Sequence, residues 1–394
     1  MASATDRPNV VVFFTDQQRH DTTGLHGNPM GLTPNFDRLA RRGTHVANCF
    51  TPNPVCGPAR ACLQTGTYNS RNGVWRNGIN LPTDDELPNM ASRFKEAGYA
   101  TGLIGKWHLA TDQRVEGTQA VREEGRGGYQ YWLAANAIES NTDAYHCELF
   151  DNDNEPRKLP GYRVDAMTDA AIRFIDDKQD EPFFLFLSFL EPHHQNHVDD
   201  YPPPDGRRMT NAWVPPDLAA LKTSPDPYMP EDADVGGSAM RHLGGYYGMV
   251  KRLDEALGRL HDALKSLGLD ENTIVVFASD HACHFKTRNS EYKRSCHEAS
   301  IRVPCCITGP GFEAGGQLPE LVNLVDLAPT LMDACGVDIP ETVQGRSLLP
   351  LLRRETAGWP EEVFVQISES HFGRAVRTRR WKYGPAPFQE CPRR

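Results

Sequence analysis

Asn9-Val10-Val11-Val12-Phe13-Phe14-Thr15, followed at once by Asp16-Gln17-Gln18 (NVVVFFTDQQ, residues 9–18), governs how the rest of the chain is read. A run of β-branched and aromatic residues without polar alternation describes a strand buried on both faces, and such strands belong in a parallel sheet covered by helices. The abrupt change at Asp16-Gln17-Gln18 marks the strand's carboxyl end. Three further runs have the same character: Tyr99–Ile104, Phe183–Phe189 and Thr273–Ala278. Helical patterns lie between them, notably Leu87–Ala97, Val164–Asp177 and Met240–Leu267. This alternation predicts an α/β fold, with a large, mostly parallel or mixed sheet sandwiched by helices.

In open α/β sheets, ligands bind outside the carboxyl ends of the strands. Each buried run here ends on polar groups. Asp16 follows the first, Lys106 and His108 the second, His193 the third, and Asp280-His281 the fourth. Four strand ends converging on such residues make a stronger site argument than any one of them. The segments Thr111–Tyr162 and His194–Gly237 are rich in Gly, Pro and polar residues, and are expected as long insertions above that edge. No internal repeat or low-complexity tract stands out.

The 394 residues are 39% hydrophobic and 24% charged, as in an ordinary globular chain, and suit one large domain with a smaller appendage. The net charge of -10 excludes a global electrostatic footprint for nucleic acid or an anionic membrane. An anionic substrate therefore requires a local cluster of cations. No apolar run reaches the roughly 20 residues that span a bilayer. Met1 to Pro8 is polar and lacks the apolar core of a secretory signal, so a cytoplasmic location is expected; a periplasmic or secreted protein whose signal had been removed would look the same. The ten cysteines are scattered, with Cys305-Cys306 adjacent in a strand-like run and no C-x-x-C pair, so most are expected as buried small apolar residues. His193, His194 and His197 lack the partners of a zinc site. Glu231-Asp232-Ala233-Asp234 is expected as a solvent-facing loop.

Cys56-Gly57-Pro58-Ala59-Arg60 is the shortest pattern with chemical content. Pro58 suits a first helical position and Arg60 to Gly66 continues one or two turns, which puts Cys56 at a helix N-terminus. Free backbone N–H groups and the helix dipole favour an anion there. A cysteine merely buried at a helix start fits those five residues equally well.

The surrounding sequence favours the first reading. The stretch CGPARACLQTG, Cys56 to Gly66, resembles the first signature of the formylglycine-dependent sulfatases, and GYATGLIGKWH, Gly98 to His108, resembles the second. PNVVVFFTDQQ at the start, VVFASDHA from Val275 to Ala282, SIRVP from Ser300 to Pro304 and LVNLVDLAPTL from Leu321 to Leu331 also look like this family, in its order. The likeness runs from Pro8 to about Tyr383. It implies an alkaline phosphatase-like fold and a sulfuric ester hydrolase. In that family the signature cysteine is oxidised to formylglycine, and the aldehyde hydrates to a diol. A thiol attacking sulfur would give a dead-end thiosulfate ester, whereas a sulfated hemiacetal collapses and expels sulfate. Gly57 and Ala59 stand where Ser or Thr is more usual.

The resemblance also implies roles. Asp16, Gln17, Asp280 and His281, with residue 56, would hold Ca²⁺, or alternatively Mg²⁺ or Mn²⁺, through mostly hard oxygen ligands. Gln17 replaces the second of two acids often found there, as in relatives that cleave choline sulfate or phosphonate esters. Arg60, Lys106 and Lys293 would surround the sulfate oxygens. His108 matches the general base and His193 the group that protonates the leaving oxygen, with His194 as the alternative. Lys293 competes with a reading in which it joins Lys286 and Arg288 on a solvated face. Asn77, in NGVWRNG, is either a group that approaches the sulfate or a turn residue.

Hydrolysis of a sulfate monoester is therefore expected, of a small molecule or an oligosaccharide, with a formylglycine-generating enzyme as the maturation partner. A phosphonate monoester or phosphodiester hydrolase of the same fold is the first alternative, favoured by Gln17 and opposed by the Lys106–His108 pair. A silent protein that binds sulfated sugars is the second, if Cys56 stays a thiol. Tyr129, Tyr131, Trp132, Tyr201 and Trp213 in the insertions either stack on sugar rings or pack the insertions down. The catalytic domain is expected over residues 1–365. Residues 366–394 would begin a small C-terminal subdomain, entered at Ala375 to Tyr383 and either reduced or truncated.

Overall fold

A computed structural model of the chain describes residues 7–384 apart from 196, 207, 222–236, 290, 314–315 and 370–371. The acidic stretch Glu231–Asp234, the end of the second insertion and residues 385–394 lie outside the described residues.

The stretch Asn9–Thr15 forms strand β1, buried at all seven positions. It is followed by β2 (Thr44–Phe50), β3 (Ala100–Lys106), β4 (Tyr131–Ala135), β5 (Cys147–Phe150), β6 (Pro156–Leu159) and β7 (Phe183–Ser188). Then come β8 (Thr273–Ser279), β9 (Arg302–Val303), β10 (Cys305–Thr308) and β11 (Gly316–Asn323). These build one mixed sheet of 11 strands in the order β11-β2-β10-β8-β1-β7-β3-β4-β5-β6, with β9 paired to β2. Its centre, β8-β1-β7-β3-β4, is parallel, and both flanks carry antiparallel pairs.

Each central strand buries both faces because its side chains alternate between two cores. Val10, Val12 and Phe14 pack with Leu63 and Phe94 on one side. Val11 and Phe13 pack with Phe36, Met167, Leu253 and Leu257 on the other. The helices Cys56–Thr65, Met90–Glu96 and Leu327–Ala334 cover the first face, and Pro34–Arg42, Arg163–Asp177 and Gly237–Ser266 the second. The expected sandwich is the fold observed.

Register brings the carboxyl ends level. A single row across four strands runs Gly105, Ser188, Phe14, Ala278. Gly105 has φ 105°, and a Cβ there would meet the Ser188 carbonyl oxygen at 2.1 Å. Glycine is therefore required where β3 closes on β7 just before Lys106.

Two expectations change in detail. The first insertion is not all irregular, because β4 extends the parallel sheet and β5 and β6 extend it further. The aromatic residues of the insertions pack inward. Tyr129, Trp132 and Tyr201 are buried, Tyr131 lies against Phe174, and Trp213 is half-buried.

A separate three-stranded antiparallel sheet, β12 (Glu362–Ile367), β13 (Gly373–Thr378) and β14 (Lys382–Tyr383), rests on Phe50, Ile301 and Leu321. Its β12–β13 pairing spans the boundary expected at residue 365. Among the described residues no helix is long and apolar enough to cross a membrane, and the cysteines form no disulfide.

Candidate active site

The strand ends deliver their polar residues to one buried point. Asp16, Asp280, His281 and Lys106 are all 0% exposed. Beside them the helix Cys56–Thr65 begins at Cys56 itself, so Pro58 is its third residue rather than its first. The Gly57 N–H at that N-terminus donates to Asn77 Oδ1 at 2.9 Å. Asn77 is thus held on the helix that starts at Cys56, and its N–H meets Glu369 Oε2 at 3.3 Å.

Charges alternate around Cys56. Lys293 Nζ lies 2.9 Å from Cys56 Sγ and 3.1 Å from His193 Nε2. Lys106 Nζ donates to Asp16 Oδ2 at 2.8 Å and to Glu139 Oε1 at 3.1 Å. Burial pushes the Cys56 thiol up, but Lys106, Lys293 and His281 outweigh it and hold the thiol well below its ordinary value. Residue 56 therefore sits where negative charge is stabilised.

Arg60 lies beneath. Its guanidinium reaches Asp280 Oδ2 at 3.2 Å, Asp16 Oδ2 at 3.1 Å, Ser188 Oγ at 2.6 Å and the Lys106 carbonyl at 3.1 Å. An arginine so fully engaged fixes both carboxylates and ties four strand ends together.

Asp16, Cys56, Asp280 and His281 each offer one ligand atom, and these atoms all lie within 4.8 Å of one another. His281 Nδ1 meets the Ala282 carbonyl at 3.0 Å, which leaves Nε2 facing the group. Burial and the Asp16 carboxylate push Asp280 well above the usual carboxylate range. Two buried acids beside a thiol held toward its anionic form repel one another until a cation joins them. A donor set of carboxylate oxygens with one imidazole fits a divalent metal.

Gln17 enters this region through its backbone, whose N–H donates to Asp280 Oδ1 at 3.1 Å. Its Oε1 accepts from the His194 N–H at 3.2 Å, and its Nε2 is buried without a protein partner among the described residues. Gln17 and His108 both have left-handed backbones, φ 68° and 66°, an uncommon state that here places site residues. His108 N–H is held by the Asn136 carbonyl at 2.7 Å.

The residues between which the sequence left a choice have different neighbours. His193, not His194, meets Lys293, while His194 lies against the Tyr292 ring. Lys293 meets Cys56, whereas Lys286 pairs with Asp199 at 2.9 Å. Glu139 was not anticipated. It follows β4, pairs with Lys106 and lies 3.9 Å from His108 Nδ1. The strand-end rule finds it once Tyr131–Ala135 is recognised as a fifth parallel strand. Ser188, Glu291, Tyr292, Arg294 and Glu369 were also missed. A cavity of about 330 Å³ opens over His193 and Lys293, walled by Asn77, Glu139, Asp199 and Tyr292.

The chain resembles known proteins over most of its length. The sulfatase family profile matches residues 8–337. The ulvan-active sulfatase of Formosa agariphila is 31% identical over 97% of this chain and 74% of its own length. The N-acetylglucosamine-6-O-sulfatase of Bacteroides thetaiotaomicron is 26% identical over 96% of this chain and 78% of its own. The crystal structure of yidJ from Bacteroides fragilis superimposes with a TM-score of 0.82 at 26% identity, covering 98% of this chain and 86% of that one. The chain therefore belongs to the sulfatase family and is a sulfuric ester hydrolase.

Proposed function

We propose that the chain removes sulfate from a carbohydrate sulfate ester, with Cys56, converted to formylglycine by a formylglycine-generating enzyme, as its nucleophile. The observation that carries this reading is the convergence of Lys106 and Lys293 on residue 56 at a helix N-terminus. The carbohydrate class is supported by the relatives, named for ulvan and for N-acetylglucosamine 6-sulfate.

Converted and hydrated, residue 56 would supply an oxygen nucleophile. A divalent cation, Ca²⁺ by preference and Mg²⁺ or Mn²⁺ as alternatives, would be held by Asp16, Asp280, His281, Gln17 and residue 56, and would polarise the sulfate and lower the nucleophile's pKa. Lys106 and Lys293 stabilise charge that develops on the sulfate oxygens. Arg60 adds charge from below while fixing Asp16 and Asp280 in place. His193 would carry the proton for the leaving oxygen; burial, and then Lys293 3.1 Å away, hold its ring below the ordinary histidine value, which makes it a stronger acid once protonated. His108, beside Glu139, removes the proton that lets sulfate depart. Asn77 and His194 contact the substrate at the cavity mouth.

Turnover of an aryl sulfate is compared with that of an aryl phosphonate monoester in matured enzyme. A preference for the sulfate is expected, because Lys106 and His108 occupy the second strand end. A clear preference for the phosphonate would replace this reading with the one that Gln17 favours.

A further inference from the structure

The cations of the cavity fall into two groups. Lys293 aims at residue 56, and Lys106 at Asp16 and Glu139 beside it. Those of the wall are committed elsewhere. Lys286 Nζ pairs with Asp199 Oδ2 at 2.9 Å and lies over the Tyr292 ring, whose hydroxyl donates to Asp199 Oδ1 at 2.6 Å. Arg294 is held between Glu291 and Glu369, the latter at 2.9 Å. Glu139 reaches the cavity with Oε1 on Lys106, and its buried Oε2 has no hydrogen-bond partner among the described residues. Beyond the sulfate position, then, the lining sets Glu139, Asp199 and Glu291 against Lys286 and Arg294, with Glu369 behind Arg294.

Such a wall offers acceptors rather than donors of positive charge. Hydroxyl groups donate hydrogen bonds to carboxylate oxygens and satisfy them. A second anion on the substrate would meet like charge, with no uncommitted wall cation among the described residues to receive it. A site built to bind hydroxyls discriminates strongly against ligands that cannot satisfy it. We infer that the cavity selects a neutral, hydroxyl-rich sugar bearing a single sulfate, and rejects a ring carrying a second anionic group such as a uronate carboxylate or a neighbouring sulfate. This rests on the sulfatase reading and narrows its substrate class.

The test uses three esters with matured enzyme: phenyl sulfate, 3-(hydroxymethyl)phenyl sulfate and 3-carboxyphenyl sulfate, the last two having similar leaving-group acidity. The hydroxymethyl ester is expected to exceed the carboxy ester in kcat/KM by about tenfold, the scale of one uncompensated like-charge contact. Glu291→Gln or Asp199→Asn, which releases part of Arg294 or Lys286, is expected to narrow that ratio at least about threefold. Equal turnover of the two esters would overturn the inference, as would a preference that both variants leave unchanged. If none of the three esters is hydrolysed, the sulfatase reading itself fails and the inference falls with it.

Discussion

The floor of the cavity and its wall are made of the same residue types, carboxylates beside lysines and arginines, but they hold their charges differently. On the floor, Asp16, Asp280, Arg60 and Lys106 are at most 2% exposed and come from the ends of rigid strands or from the helix that starts at Cys56. On the wall, Asp199, Glu291 and Glu369 are 44%, 45% and 24% exposed and come from connecting segments far apart in the chain. Buried ions are costly to desolvate and are retained where each has a partner, so the floor acts as one unit. Exposed pairs contribute little to stability, and the wall can vary without disturbing the fold. In the proposed reading the floor sets the chemistry, and the wall sets what reaches it.

The largest effect should come from the floor's centre. Cys56→Ala removes the proposed nucleophile and should cut turnover of an aryl sulfate by roughly 10⁴-fold or more, with an unchanged circular dichroism spectrum. Retained turnover would detach the chemistry from residue 56. Lys293→Ala removes one preorganised cation and should lower kcat by roughly 10²–10³-fold. A loss seen only in KM would move Lys293 from floor to wall.

Glu139 sits at the junction of the two regions. Burial pushes its carboxyl up, but Lys106 and His108 outweigh this and hold it at about 2 against an ordinary 4.5. A depressed carboxyl stabilises the fold above its unfolded pKa and loses that contribution as pH falls from 4.5 toward 2. Glu139→Gln should therefore be less stable than the parent near neutrality, and should lose less stability on acidification through that window. Parallel acid unfolding curves for the two proteins would place Glu139 with the wall. The smallest effect is expected on the wall itself. Glu369→Gln should change unfolding free energy by less than about 1 kcal/mol in urea titration, because its pair with Arg294 is partly exposed. A larger loss would mean that the wall, too, is structural.

The same contrast explains what could be read from the sequence. Asp16, Lys106, His108, His193 and Asp280 were legible because each closes a long apolar run, and register then makes neighbouring ends level. Cys56 was legible through its signature and its place at a helix start. Gln17 was anticipated, but its backbone bond to Asp280 was not. Glu139 escaped because β4 is only five residues long and lies in a Gly- and Asn-rich segment whose antiparallel strands β5 and β6 are only four residues each. The pairing of Arg294 with Glu369 joins positions 75 residues apart across loops, and no local pattern encodes it. The choice of His193 over His194 depends on a ring orientation that spacing does not fix.

The claim at the centre of this account is that residue 56 works as formylglycine rather than as cysteine. It is tested most directly by the mass of the peptide carrying residue 56, from protein purified out of the organism that encodes it. Replacement of sulfur by oxygen with loss of two hydrogens is the result expected. A peptide that retains the full mass of cysteine, in protein that still hydrolyses sulfate esters, would contradict it.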